Sequence, residues 1–265
     1  MKEAFEQEMQ RLREKKGFIC DMDGVLYHGN HLLPGVLKFI EFLQKEGKNY
    51  LFLTNSSERT PMELSQKMAR LGILVDETHF HTSALSTAHF LSKQRPGGSC
   101  YVIGEPALSN ALYDVGLTTN DINPDYVVMG DTRDYNFAKI EHAVHLINQG
   151  AKLICCNFDL TGPTEKGIVP ATRALAAPIE LTTGVHAYYL GKPNSLMMRY
   201  ARKRLQVHRD DAVIIGDRMD TDIVSGIEAD IETVLVLSGV STRETLKRFA
   251  YQPHHVLEGV GDILL

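Results

Sequence analysis

Two aspartates one residue apart, Asp21 and Asp23, close the apolar run GFICDM and precede Gly24. An extended chain sends residues i and i+2 to the same side, so the two carboxylates can converge on one site. In an open parallel sheet, ligands bind beyond the carboxyl ends of strands. Neighbouring carboxylates repel, and a cation beside them relieves that repulsion. Gly24 permits the sharp exit that a crowded turn needs. Taken alone, the pair could equally be a strand ending in solvated acids. Asp217, Asp220 and Asp222 follow a second apolar run in IIGDRMDTD. This clustering is the strongest metal signal in the chain. Hard oxygen donors with few histidines nearby point to Mg²⁺ rather than zinc. Asp220 and Asp222 stand at the start of the expected next helix, where negative charge suits the dipole. Asp220 is read as a helix-terminus residue outside the metal's ligands.

Two further stretches offer groups for an anion. Thr54, Asn55, Ser56 and Ser57 follow the apolar run NYLFL. Hydroxyls and unpaired backbone N–H groups between a strand and a helix make an anion pocket, or else an ordinary capped loop. Lys192 ends the run YYL between Gly191 and Pro193. It can bring a point charge to a phosphate, although a loop lysine reads the same way.

The elements that must position these groups alternate along the chain. Apolar β-branched and aromatic runs at 16–22, 49–55, 127–131, 188–190 and 212–217 read as strands. Between them, Val36, Phe39, Ile40 and Leu43 recur at helical spacing within 33–48, with Pro34 near the start and Gly47 near the end. Thr60 followed by Glu63 predicts a capped helix running to Gly72. Further helices are expected at 82–94, 106–115, 194–206 and 220–229. Strands separated by helices of this length imply βαβ units and a parallel sheet. A strand followed by Gly-Asp occurs both at 127–131 and at 213–217. The N-terminal segment is charged throughout, and Ala4, Phe5, Met9 and Leu12 share a face. It is expected to be a short amphipathic helix packed on the body.

The chain has 265 residues, 43% hydrophobic and 23% charged, ordinary for a globular protein with a substantial core. A net charge of −5 argues against nucleic acid as a partner. It also fits poorly with long-range steering of an anionic substrate, so any anion site must be built locally. No apolar run approaches bilayer length, and the N-terminus lacks a secretory h-region. The four cysteines, Cys20, Cys100, Cys155 and Cys156, form no C-x-x-C pair and lie in apolar runs, as buried reduced thiols of a cytoplasmic protein would. His79 with His81, His142 with His145, and His254 with His255 lack the carboxylates or cysteines that would frame a zinc site.

In order, D-x-D-G at 21–24, T-N at 54–55, K-P at 192–193 and G-D-x-x-x-T-D at 216–222 resemble the haloacid dehalogenase (HAD) superfamily of phosphatases. DMDGVLYHGNHLLPG, LTNSS and the long segment between the second and third motifs resemble its NagD-like, para-nitrophenylphosphatase-type branch, over residues 17–265. The resemblance implies an α/β fold: a doubly wound parallel-sheet core at 1–81 plus 188–265, with the N-terminal helix at 1–16, and an inserted α/β cap at 82–187. It implies a Mg²⁺-dependent hydrolase of small phosphomonoesters, such as nucleoside monophosphates, sugar phosphates or pyridoxal phosphate. Asp21 would be the nucleophile that becomes an aspartyl-phosphate, and Asp23 the acid/base. Asp21, the Asp23 carbonyl and Asp217 would hold Mg²⁺. Thr54, the Asn55 N–H and Lys192 would hold phosphoryl oxygens, supported by Asp222, Gly24 and Ser56. His28 and Asn30, in the turn after the nucleophile, could touch a leaving group. Asn157 and Asp159, in the polar stretch 157–164, are candidate specificity residues, or belong to a cap surface loop. The expected partner is a small phosphorylated metabolite, with no membrane or nucleic acid. The cap's strands or the N-terminal helix could pair protomers as a homodimer. A phosphoryl transferase or mutase, or a phosphate-binding protein without catalysis, is the alternative.

Overall fold

The apolar runs expected as strands are too hydrophobic to stand alone, and the computed structural model, which describes residues 2–164 and 166–265, buries them in two parallel sheets. Met1, part of the expected N-terminal helix, lies outside the described residues. The chain divides into two units. One comprises Met1–Thr54, Ser65–Phe80 and Met198–Leu265, the other Asn55–Leu64 and His81–Met197. The expected insertion at 82–187 lies inside the second unit, which also takes 55–64 and 188–197. The reason is local: Asn55 bonds to the Lys192 backbone, and Ser57 bonds to Asp131.

The first unit holds a six-stranded sheet in the order His255–Leu257, Glu232–Val236, Ala212–Gly216, Gly17–Cys20, Asn49–Thr54, Phe80–Thr82, although the last strand's final two residues belong to the second unit. Parallel pairing joins the first five. Gly17–Cys20 lies centrally and is buried at every residue, as a two-sided parallel strand must be. Cys20 is level with Ile215 on one side and Phe52 on the other. Asp21 therefore leaves the carboxyl edge beside the ends of both neighbours, where the strand order reverses and α/β folds bind ligands. Helix Val36–Lys45 buries the four predicted apolar residues, and Phe39 meets Phe18 edge-on at 6.0 Å. The N-terminal helix, Lys2–Glu14, packs through only half of its predicted face: Met9 and Leu12 are buried, whereas Ala4 and Phe5 are exposed. Polar ties complete the docking: Glu8 meets His255, and Arg13 donates to the Ile263 carbonyl at 2.8 Å.

The second unit is built around a five-stranded parallel sheet, ordered Tyr188–Tyr189, Lys152–Cys155, Tyr126–Met129, Ser99–Ile103, Thr118–Thr119. Successive residues of its central strand face opposite layers. Val128 packs with Ala88, Leu91 and Leu108, while Val127 and Met129 pack with Leu146, Ala176 and Ile179. Two elements differ from the sequence reading. Thr161–Thr164 is not loop but pairs antiparallel with Gly167–Pro170. The expected helix at 220–229 begins as a π-helical turn, Met219–Ile223, before Val224–Glu228. Among the described residues no helix is long and apolar enough to cross a membrane.

The four cysteines are unpaired and buried. Burial pushes the Cys100 and Cys156 thiols up to about 12, and the Cys20 and Cys155 thiols also well up. Because the thiolate is the nucleophile, the native protein is expected to resist iodoacetamide at neutral pH and to take up four equivalents once unfolded. Mass spectrometry before and after denaturation checks this, and rapid native labelling would contradict it.

Candidate active site

The acidic centre of the first unit is assembled by two strand ends and the turns that follow them. Asp21 N–H donates to the Ile215 carbonyl at 2.8 Å, which carries the ladder one residue past the strand. The chain then turns sharply: Leu26 N–H returns to the Met22 carbonyl at 2.8 Å and Gly24 N–H to the Tyr27 carbonyl at 2.9 Å. Gly24 adopts φ 79°, the left-handed conformation that glycine enters without strain. Ser238 Oγ donates to the Gly24 carbonyl at 2.7 Å and holds the turn from the opposite loop.

Asp217 and Asp222 are both about 1% exposed. One carboxylate oxygen of each, with one of Asp21, lies within 4.8 Å of the others. This is the only such metal-capable group among the described residues. Asp217 Oδ2 accepts from Val240 N–H at 2.7 Å, and Asp222 Oδ2 accepts from Arg218 N–H at 3.1 Å, so backbone donors fix both carboxylates. Three carboxylates this close, two of them buried, repel one another strongly unless a cation joins them. Their donors are all hard oxygens, and the set fits Mg²⁺. Asp220 instead faces outward in a two-point pair with Arg218, at 3.0 and 3.1 Å. Asp23 is partly exposed, and His28 Nδ1 lies 3.8 Å from its Oδ1. His28 sits on a short hairpin, Tyr27–His28 with His31–Leu32. Thr54 ends its strand almost fully buried.

Space around Asp217 is reserved by glycine. A Cβ at Gly239 would overlap the Asp217 carboxylate, and so would one at Gly24. Gly239→Ala should therefore cost about 1–3 kcal/mol through overpacking and displace Asp217. A fall in melting temperature with weakened Mg²⁺ binding by calorimetry is the expected result; unaltered metal affinity would contradict it.

The second unit holds Asn55 and Lys192 together. Asn55 Oδ1 accepts from Lys192 N–H at 2.7 Å, and Asn55 Nδ2 donates to the Lys192 carbonyl at 3.0 Å. The Asn55 side chain is thus a clamp on the lysine's backbone. Lys192 itself is 2% exposed, far from the solvated loop lysine that was the alternative. Ser56 Oγ accepts from Glu58 N–H at 3.3 Å and caps its own loop. The candidate specificity residues meet the same loop: Asp159 Oδ2 accepts from Asn55 Nδ2 at 3.1 Å, and Asn157 Nδ2 donates to the Asn55 carbonyl at 2.9 Å. Asn157 is 1% exposed, so its side chain is engaged by the protein.

One residue here escaped the sequence reading as a functional candidate, Asp131, and its partner Ser57 was read only as part of the anion-pocket stretch. Ser57 is fully buried, and both its N–H and its hydroxyl donate to Asp131 Oδ2 at 3.2 Å. The signal was present, since Gly130-Asp131 repeats the strand-Gly-Asp pattern of Gly216-Asp217.

A family model of haloacid dehalogenase-like hydrolases matches residues 18–118, and a HAD-hydrolase-like model matches residues 189–263. The chain belongs to this family of hydrolases, in its NagD-like phosphatase branch. It is 43% identical over 246 residues to the dihydroxyacetone phosphatase of Corynebacterium glutamicum, covering 93% of this chain and 90% of that one. It is 39% identical to the ribonucleotide monophosphatase NagD of Escherichia coli, covering 94% and 98%. The solved structure of that NagD superposes with a TM-score of 0.87 at 38% identity, over 93% and 97% of the two chains. A glycerol phosphate phosphatase of Mycobacterium tuberculosis, solved in complex with magnesium, superposes with a TM-score of 0.88 at 28% identity, over 94% and 76%.

Proposed function

We propose that this protein is a Mg²⁺-dependent phosphatase of small phosphomonoesters that works through an aspartyl-phosphate on Asp21. The observation that carries this reading is the convergence of Asp21, Asp217 and Asp222 at the carboxyl edge of a parallel sheet. Asp21, the Asp23 carbonyl and Asp217 would hold Mg²⁺, which when bound neutralises the carboxylates and the phosphoryl oxygens. Asp222 keeps the turn after Asp217 in shape through its bond to Arg218 N–H.

In the first half-reaction an Asp21 carboxylate oxygen attacks phosphorus. The bond to the leaving oxygen breaks, and Asp23 gives that oxygen a proton. In the second half, water attacks the same phosphorus, Asp23 takes a proton from it, and the bond to Asp21 breaks to free phosphate. Thr54, the Asn55 N–H and Lys192 hold the phosphoryl oxygens, since phosphoryl transfer depends mostly on positioning and charge neutralisation. His28, near Asp23, would meet the leaving group. The relatives' names, with a three-carbon ester, nucleotides and glycerol phosphate among their substrates, support a small phosphorylated metabolite.

Phosphate release from a panel of such esters, with Mg²⁺ and then with EDTA, tests the reading. Mg²⁺-dependent release from at least one ester is expected. No release from any, or release indifferent to EDTA, would overturn it.

A further inference from the structure

We propose that Asp131 is the positioning residue for the phosphate-holding loop: its carboxylate ties that loop to the rigid centre of the second unit's sheet. This rests on the phosphatase reading and extends it to a residue outside the four motifs.

Asp131 follows the central strand Tyr126–Met129 by one glycine. Its carboxylate accepts five hydrogen bonds from three residues. Oδ2 takes Ser57 N–H at 3.2 Å, Ser57 Oγ at 3.2 Å and Asn157 Nδ2 at 2.9 Å. Oδ1 takes Thr172 N–H at 3.0 Å and Thr172 Oγ1 at 2.7 Å. Asp131 N–H returns to Ser57 Oγ at 2.8 Å. A carboxylate offers about four lone-pair sites, so these donors occupy it fully and leave it no part in proton transfer.

The bonds continue to the phosphate groups. Asn157 Nδ2, shared with Asp131, also donates to the Asn55 carbonyl, which Ser83 Oγ reaches at 2.5 Å. The Asn55 side chain then clamps the Lys192 backbone on both sides. The assembly leaves no slack: a Cβ at Gly130 would strike Ser57 Oγ, and one at Gly191 would strike Asn55 Oδ1. Ser57, Asn157, Thr172 and Lys192 are all buried. Glu58, which follows Ser57 in the chain, has its carboxyl raised above its ordinary value by burial and then by the Asp131 charge.

The amide of Asp131→Asn keeps one acceptor but turns two N–H donors toward donors already there. That variant should stay folded by circular dichroism, while both KM and the inhibition constant for inorganic phosphate rise about tenfold. Ser57→Ala should weaken phosphate severalfold. The double variant should lose little beyond Asp131→Asn, because both changes cut one connection. A lower melting temperature with wild-type KM and phosphate affinity would make Asp131 merely structural and overturn the proposal, as would additive losses in the double variant. Should Asp131→Asn fail to fold, Ser57→Ala alone decides, and unchanged phosphate affinity there overturns the proposal. Wild-type protein that hydrolyses no ester would instead defeat the phosphatase reading itself.

Discussion

Replacing Asp21 by Asn should reduce phosphate-ester hydrolysis on the order of a thousandfold or more while leaving the fold intact. The amide keeps the volume and one of the oxygens, so the packing of the turn after Gly17–Cys20 is preserved. What it loses is the anionic oxygen that forms the bond to phosphorus, and no neighbouring group substitutes for it. Asp217 and Asp222 are buried and held by the Val240 and Arg218 N–H groups, which fixes Asp217 for its proposed part in metal binding and Asp222 in the turn that follows, rather than freeing either to attack phosphorus. The measurement is kcat on the best ester of the panel, with circular dichroism as the control for folding. A loss of only a few-fold would mean that Asp21 is not the nucleophile and that another group, or water, attacks phosphorus.

Asp217→Asn should be nearly as damaging, through a different parameter. Even residues that merely support metal ligands change affinity by about 10–100-fold when replaced, and Asp217 is itself a ligand in the proposed site. Its Oδ2 is committed to Val240 N–H, so an amide there would either lose that bond or turn its NH₂ toward the cation. The Mg²⁺ concentration giving half-maximal activity should rise by about 100-fold or more, with some activity recovered at high metal. EDTA should stop the wild-type enzyme outright and added Mg²⁺ should restore it. Wild-type metal dependence in Asp217→Asn would remove Asp217 from the ligand set.

The acidic centre was legible because its chemistry follows from local sequence. Each acidic motif directly follows an apolar run, and strand ends of a parallel sheet gather on one edge. The helix at Pro61–Arg70 was equally visible, because Thr60 and Glu63 cap it reciprocally: Thr60 N–H reaches Glu63 at 2.7 Å and Glu63 N–H reaches Thr60 at 3.2 Å. Other elements were hidden for physical reasons. Helix Thr172–Thr183 contains Pro178, which cannot donate within the helix, and packing of Leu175, Ala176 and Ile179 outweighs that defect. The hairpin around Gly167 carries polar residues, glycine and proline, with no alternation to betray it. Asp131 was hidden differently. Its Gly-Asp signature was visible, but its partners Ser57 and Thr172 are 74 and 41 residues away, and only the fold brings them together. The same holds for the Asn55 side chain: its sequence position suggested an anion pocket, while its amide is used on the Lys192 backbone.

The most direct measurement is rapid acid quench of the wild-type enzyme during turnover, followed by borohydride reduction and peptide mass spectrometry. An acyl phosphate on Asp21 is reduced to homoserine, so a covalent mechanism predicts homoserine at position 21 and at no other aspartate, and none in Asp21→Asn. Active enzyme that yields no homoserine at position 21 at any quench time, or yields it at Asp23, Asp217 or Asp222, would contradict Asp21 as the nucleophile.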